Sequence, residues 1–246
     1  MTSSIISVPF YMGDFVAGLS VPEPHVLLDP DLPDGTQQER MAALNAVVAD
    51  KVAETDNPVI YAADCVIILG VTAGLQRRGI DPVVVFYDAH GDFNTWDTTP
   101  SGFIGGMPLA MLTGRGEQTI VDGAGARTIP DADAYLVGAR DIDAGEQILL
   151  DGSDVPMVDV GEIAAAVPDE RDLYVHVDVD VVDPSDVPAI NYPAPNGPSA
   201  AQVAESVAAL AATGRVVAFS VSTWNPALEG AHQSAASTRT IAEPFL

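Results

Sequence analysis

The stretch Val83-Val84-Val85-Phe86-Tyr87-Asp88-Ala89-His90-Gly91-Asp92 runs from an unbroken apolar segment straight into two aspartates and a histidine. Consecutive β-branched and aromatic residues without polar alternation read as a strand buried on both faces, as in a parallel sheet. The same arrangement recurs where Leu173-Tyr174-Val175-His176-Val177 leads into Asp178-Val179-Asp180-Val181-Val182-Asp183-Pro184. Carboxylates planted at the ends of buried strands are costly unless something positive compensates them. A pair of hard divalent cations shared by the two clusters would do so.

Outward from these stretches, short β-branched runs alternate with Ala-rich helical ones. The pattern predicts strands near 4–9, 58–62, 83–88, 134–138, 156–159, 173–180 and 215–222. Helices are predicted near 37–54, 66–78, 105–113, 143–150, 199–212 and 230–241. Thr36 with Glu39 forms a capping box for the first helix, and Pro198-Ser199 opens the one containing Ala204 to Ala212. Such alternation predicts an α/β fold of three layers, α/β/α, with a mostly parallel central sheet. No repeat, low-complexity tract or linker divides the chain, so residues 1–246 are expected to form one domain. Ligands of open α/β sheets collect at the carboxyl ends of the strands. Both acidic clusters fall there, as does Ala62-Ala63-Asp64-Cys65 after Pro58-Val59-Ile60-Tyr61.

Ten Lys+Arg against 35 Asp+Glu give a net charge of -25. That field repels nucleic acid and anionic membranes and attracts cations, so neither a nucleic acid nor a membrane is expected as a partner. No apolar run is long enough to cross a bilayer. The start Met1-Thr2-Ser3-Ser4-Ile5 lacks a basic segment of the secretory kind, and the single cysteine suits a reducing compartment; a cytoplasmic location is expected.

Residues two apart in extended backbone point the same way. Asp178 and Asp180 therefore share a side, with His176 below them, and Asp88, His90 and Asp92 share one if their segment stays extended. Several carboxylates with one imidazole suit Mn²⁺ or a similar ion in mostly oxygen coordination. Two such ions about 3.5–4 Å apart can share a water and lower its pKa, which points to a hydrolase. An ion-pair network is the competing explanation, and ten basic residues leave it few cations.

Asp88-Ala89-His90-Gly91-Asp92-Phe93-Asn94-Thr95 with Thr98-Thr99-Pro100-Ser101-Gly102, the Asp178 to Pro184 motif, and Val137-Gly138-Ala139-Arg140-Asp141-Ile142-Asp143-Ala144-Gly145-Glu146 together resemble the ureohydrolases, the arginases, agmatinases and their relatives. The resemblance runs in order from about Ser7 to Pro226. It implies an arginase-like fold and two Mn²⁺ ions, with Asp88 and Asp178 bridging, Asp92 completing one site, and His90 and Asp180 the other. It further implies hydrolysis of a guanidino or amidino C–N bond in an arginine-like amino acid, and assembly as a homotrimer or homohexamer. Asn94, Thr99, Ser101 and Asp143 match positions that hold the amino-acid end of the substrate. In turn-rich sequence they are also ordinary loop and cap residues.

Three positions depart from the family pattern. Cys65 stands where most members carry a metal-binding histidine, as in relatives acting on N-hydroxyarginine; it is either a soft ligand or a small buried hydrophobe. Gly105 matches the histidine held to shuttle protons, and Thr223 the glutamate that grips the guanidinium. A neutral hydroxyl cannot form that charged bidentate pair. Asp92, His176 and Thr223 are accordingly taken as the catalytic candidates, His176 as a substitute acid–base group or a support of the metal ligands, and equally as a strand histidine satisfied within the core. The expected substrate is arginine-like with a modified, less basic terminal group such as an N-hydroxyguanidine. Ordinary arginase or agmatinase activity, and a silent homologue that binds metal or an amino acid, are the alternatives.

Overall fold

The computed structural model describes residues 4–23 and 25–246. In chain order the strands are β1 (Ile5–Val8), β2 (Phe10–Tyr11), β3 (Asp14–Phe15), β4 (His25–Leu27), β5 (Val59–Ala62), β6 (Val83–Tyr87), β7 (Ala134–Val137), β8 (Met157–Val158), β9 (Leu173–Asp178) and β10 (Val216–Ser222). Eight of them form one sheet in the order β4-β1-β5-β10-β9-β6-β7-β8, with β2 and β3 paired as a separate hairpin. Every pairing in the large sheet is parallel. The predicted three-layer α/β/α architecture is therefore the one observed.

Alternate residues of the strands face different layers. Val84 and Phe86 of β6 join Ile60, Leu136 and Tyr174 against α1 (Gln37–Ala53), α2 (Ile68–Arg77), α3 (Pro108–Leu112), α4 (Thr119–Ala124) and the end of α5 (Ala144–Asp151). Val83, Val85 and Tyr87 join Tyr61, Val175, Val177 and Val221 against α6 (Ile163–Ala166), α7 (Ala200–Ala212) and α8 (Ala231–Ala242). Because both faces are covered, the strands read as continuous apolar runs. No helix among the described residues is long and apolar enough to cross a membrane.

The capping boxes hold as expected: Glu39 N–H donates to Thr36 Oγ1 at 3.2 Å and Thr36 N–H to Glu39 Oε2 at 2.8 Å. Ser199 and Gln202 repeat the exchange at the start of α7. Strand β4 and helices α4 and α6 were not foreseen; each is six residues or fewer, too short to set a period. The expected helix over 105–113 is instead a 3-10 turn, Ile104–Gly106, followed by the short α3. The largest revision concerns 173–180: β9 stops at Asp178 and the chain turns into a 3-10 segment, Val179–Val181.

Helix α2 begins just beyond the turn that carries Cys65, so its seat fixes that residue. It lies close against α1: a Cβ on Gly74 would meet Val52 Cβ at 2.6 Å and the Ala49 carbonyl oxygen at 2.7 Å. Buried Asn45 joins the two, accepting from Gly70 N–H at 2.8 Å and donating to the Met41 carbonyl at 2.9 Å. Since backbone cannot yield there, Gly74→Ala is expected to destabilise the fold by about 1–3 kcal/mol in urea unfolding, with the slope of the transition unchanged.

Candidate active site

Four neighbouring strands of the sheet, β5, β10, β9 and β6, deliver the site. Their register aligns Tyr61 with Val221, Val221 with Val177, and Val177 with Tyr87. The next residues along this row are Ala62, Ser222, Asp178 and Asp88. Just beyond them lie Asp64 and Cys65, Thr223, Asp180, and His90 and Asp92. All six candidate ligands, Cys65, Asp88, His90, Asp92, Asp178 and Asp180, line one cavity of about 440 Å³.

The tightest group within it is Asp88, His90 and Asp180, whose donor atoms lie within 4.8 Å of one another. His90 Nδ1 is 3.2 Å from Asp88 Oδ1 and 3.1 Å from Asp180 Oδ2. Backbone amides orient the carboxylates: His90 N–H donates to Asp88 Oδ1 at 2.7 Å, Ala89 N–H to Asp180 Oδ1 at 3.1 Å, and Asp180 N–H to Asp178 Oδ1 at 3.1 Å. The last bond requires the 3-10 turn. Asp178 and Asp180 thus converge through a turn and not by the shared strand face that the sequence suggested.

Asp92, Cys65 and Asp64 form the other wing. The segment after Asp88 leaves the extended conformation, and Asp92 has φ +48°. In that pose its carbonyl accepts from Leu109 N–H at 3.0 Å and Ala110 N–H at 3.2 Å, which ties it to the start of α3. Its carboxylate Oδ2 lies 3.4 Å from Cys65 Sγ. Asp64 accepts from Met12 N–H at 2.8 Å and Val66 N–H at 2.9 Å, fixing the turn on which Cys65 sits.

Electrostatics identify what is missing from this arrangement. Burial, then the charges of their neighbours, holds the carboxyls of Asp88, Asp92 and Asp178 well above the usual range. Burial alone lifts Asp64 to about 6, against the pull of its two amide bonds. Burial and then Asp92 push the Cys65 thiol up. Burial works against a charged His90, yet bonds to Asp180 and Asp88 outweigh it and raise the imidazole to about 12. No lysine or arginine lines the cavity, so one imidazolium faces several buried carboxylates. This oxygen-rich, cation-poor donor set fits divalent metal ions. Asp88, His90 and Asp180 fit one ion as they stand; Asp92, Asp178 and Cys65 are placed around the same cavity but not in the same tight group.

Asn94, Thr99, Ser101 and Asp143 line the same cavity farther from the acids of the strand ends. Asn94 donates to Asp143 Oδ2 at 3.1 Å and accepts from Thr98 Oγ1 at 2.9 Å. Thr99 and Ser101 hydroxyls are 3.3 Å apart and accept from Gly102 N–H and Phe103 N–H. Only one of the two hydroxyl protons can be used between them, leaving the other to donate into the cavity.

Of the two readings of His176, the structure favours the core one. It is fully buried and absent from the cavity lining, with Nδ1 2.7 Å from Ser220 Oγ and Nε2 3.3 Å from Ser222 Oγ. Its ring stacks on Phe86 at 4.9 Å, and burial drives its pKa down to about 3. It is a core histidine held by two hydroxyls, with no face on the cavity. Thr223 does line the cavity, with its hydroxyl in hydrogen-bonding range of Asp178 Oδ1. At Gly105, a Cβ would collide with the ring of Phe103, so that ring occupies the space a side chain would need.

Two residues make supporting bonds that the sequence did not show. Glu146 reaches back to Asp143 N–H at 3.2 Å, as a capping acid does, and also accepts from Phe93 N–H at 2.6 Å beside the loop carrying His90 and Asp92. Gly91 makes room for it: a Cβ there would sit 2.5 Å from the Glu146 carboxyl carbon. Arg140 donates to the carbonyls of Val181 at 2.9 Å, Asp180 at 3.1 Å and Ala194 at 2.8 Å, clamping the turn after Asp178. The capping pattern Asp143-x-x-Glu146 was visible; its long-range partner was not.

The arginase family model matches residues 25–246. Among curated relatives, the N(omega)-hydroxy-L-arginine amidinohydrolase of Streptomyces lavendulae is 33% identical over 186 residues, covering 74% of this chain and 66% of that protein. The arginase of Bacillus subtilis (strain 168) is 31% identical over 182 residues, covering 65% of this chain and 62% of the relative. The chain thus matches just under two thirds of the length of these relatives. A crystal structure of arginase from Bacillus subtilis superposes with a TM-score of 0.83 at 26% identity, covering 100% of this chain and 98% of that one. Entamoeba histolytica arginase, solved in complex with L-ornithine, gives 0.84 at 21% identity over 100% and 99%, a likeness of fold.

Removing Glu146 leaves two backbone donors beside the loop without a partner. Glu146→Ala is expected to cost about 1–3 kcal/mol of stability and to weaken Mn²⁺ retention after dialysis. Thermal unfolding and elemental analysis read the two effects separately.

Proposed function

We propose, from the fact that this chain belongs to the arginase family, that it hydrolyses a guanidino or amidino C–N bond of an arginine-like amino acid. One observation carries the reading. Asp88, Asp92, Asp178 and Asp180 are buried around a single cavity that contains no lysine or arginine. Such a cavity attracts divalent ions and then a cationic substrate.

Asp88, His90 and Asp180 would hold one Mn²⁺, and Asp92, Asp178 and Cys65 a second, weaker one, since a thiol favours softer metals. Bound there, the ions supply Lewis acidity and offset the acids. The protein's own part is to position. Thr223 steadies Asp178, Glu146 holds the loop after Asp92, and Arg140 fixes the turn carrying Asp180. Asn94, Asp143 and the free hydroxyl proton of the Thr99–Ser101 pair are suited to an amino acid's carboxylate and ammonium. The terminal nitrogens meet Thr223 where a carboxylate would select a fully charged guanidinium, which favours a less basic group such as an N-hydroxyguanidine. The similarity to the Streptomyces lavendulae enzyme supports the same class.

Manganese-loaded protein is expected to turn over N-hydroxyarginine faster than arginine and to leave agmatine, which lacks the carboxylate, untouched. Turnover of agmatine alone would end the amino-acid reading. No turnover of any guanidino compound would favour a silent homologue. Asp92→Asn and Asp178→Asn should each lower the rate by more than about 100-fold. In a manganese titration, Cys65→Ala is expected to lose the weaker ion and keep the one held by Asp88, His90 and Asp180.

A further inference from the structure

Two clefts of this protein share a wall. The cavity that gathers the acids and a second cleft of about 420 Å³ are both lined by Tyr11, Asn191, Tyr192 and Thr223. The rest of the second cleft is lined by Val16, Ala63, Trp224, Asn225 and Pro226. Resting on the hydrolytic reading above, we propose that the site also accepts substrates whose terminal nitrogen carries an alkyl or aryl substituent, which lies in the second cleft.

The contrast in lining chemistry supports this division. Acids dominate the first cavity, whereas no residue lining the second carries a formal charge. The first suits the cationic part of a ligand, the second an uncharged and largely apolar one. Thr223 touches Asp178 on one side and belongs to the second cleft on the other. A group held against Asp178 is therefore one side chain away from that cleft.

The wall is also fixed in place. Thr223 has φ +76°, a left-handed conformation unfavourable for a β-branched residue. Its neighbours Ser222 and Trp224 are buried, and Trp224 packs edge-on against Tyr61 at 6.2 Å, so the strand end cannot relax. Strain of this kind concentrates at sites where a side chain must be presented in one direction. Tyr192, by contrast, is half exposed, with its ring packed on Phe103 at 5.2 Å.

The reaction balances without any oxidant or reductant. Water adds its oxygen to the amidino carbon of the guanidinium, the bond from that carbon to the amino acid's side-chain nitrogen breaks, and both protons of the water pass to that nitrogen. The products are the amine, as its ammonium ion, and an N-substituted urea.

Arginine and its Nω-methyl, Nω-propyl and Nω-benzyl derivatives, offered to the manganese-loaded protein with the amine product followed, test the proposal. Each methylene buried in the cleft is expected to raise kcat/KM by about fourfold up to propyl. Val16→Phe, which adds bulk to the lining of the second cleft and not of the first, should cancel that rise and leave the rate on arginine unchanged. A second readout needs no turnover. In a Trp96→Phe background, Trp224 is the one tryptophan of the two in the chain that remains. Its fluorescence is expected to titrate saturably with N-propylguanidine, and not to do so once Val16→Phe is added. Turnover of arginine with rejection of the larger derivatives, or a response flat in substituent size, overturns the cleft assignment alone. Selective binding of N-propylguanidine with no hydrolysis of any derivative overturns the hydrolytic reading and leaves the cleft assignment standing.

Discussion

Packing several carboxylates into one enclosed space with a single imidazole among them is the constraint around which this structure is organised. Such a cluster resists ionisation unless cations join it, and the protein directs its own cations elsewhere. Arg40, Arg77, Arg78, Arg115, Arg127 and Arg171 pair with Asp14, Asp50, Asp56, Asp131, Asp81 and Asp133, all outside the cavity. Arg140 comes nearest, and its donors go to backbone carbonyls. What steadies the acids is peptide N–H groups: those of Ala89, His90 and Asp180 among the strand-end residues, and of Met12 and Val66 around Asp64. These donors orient carboxylates without adding charge. They leave the negative field intact for a ligand.

The parallel sheet makes the cluster possible. Adjacent strands in register end in one row, so a residue following each end is brought beside its neighbours however far apart they lie in sequence. Ser222 and Asp178 are partners across β10 and β9, and Tyr87 and Val177 across β6 and β9. The chain then has to turn sharply to keep the acids together. It does so with a 3-10 turn after Asp178, a positive φ at Asp92, and a glycine at Gly91 that admits the Glu146 carboxylate. Each of these departures lies within a few residues of the cavity; the register shift of β10 against β9, between Val216 and Ala218, lies at the opposite end of that strand.

Those departures also mark where the sequence stopped being readable. The strands, the long capped helices and the six candidate ligands were visible because apolar runs, capping boxes and dense Asp motifs are local signals. Side-chain direction was not. Counting by twos placed Asp178 and Asp180 on one face and His176 usefully beneath them. The strand in fact ends at Asp178, and the His176 ring is sealed between Phe86, Ser220 and Ser222. Glu146 was legible as a cap and illegible as the support of Phe93, because that bond joins residues 53 apart in the chain. Tyr11 and Tyr192 carried no motif at all. Only the folded chain brings them to the same wall.

That wall bears on how a site of this kind can choose its ligand. The acids discriminate by charge, and any guanidinium, amidinium or simple ammonium carries the charge they attract. A carboxylate at the position of Thr223 would add a directional, bidentate contact; a hydroxyl already engaged with Asp178 adds little. Selection at that end must then come from shape and from the faces of the rings around it. Tyr11 and Phe103 lie 6.4 Å apart, and Phe103 and Tyr192 5.2 Å, forming a chain of aromatic surface along the cavity. Planar groups with delocalised charge pack on such surfaces better than compact ammonium ions do, because the rings offer a broad negative face and little room for bound water. On the proposed reading, the two halves of the cavity would act on different properties of one ligand: its charge on the strand-end side, and its flatness and what it carries on the aromatic side.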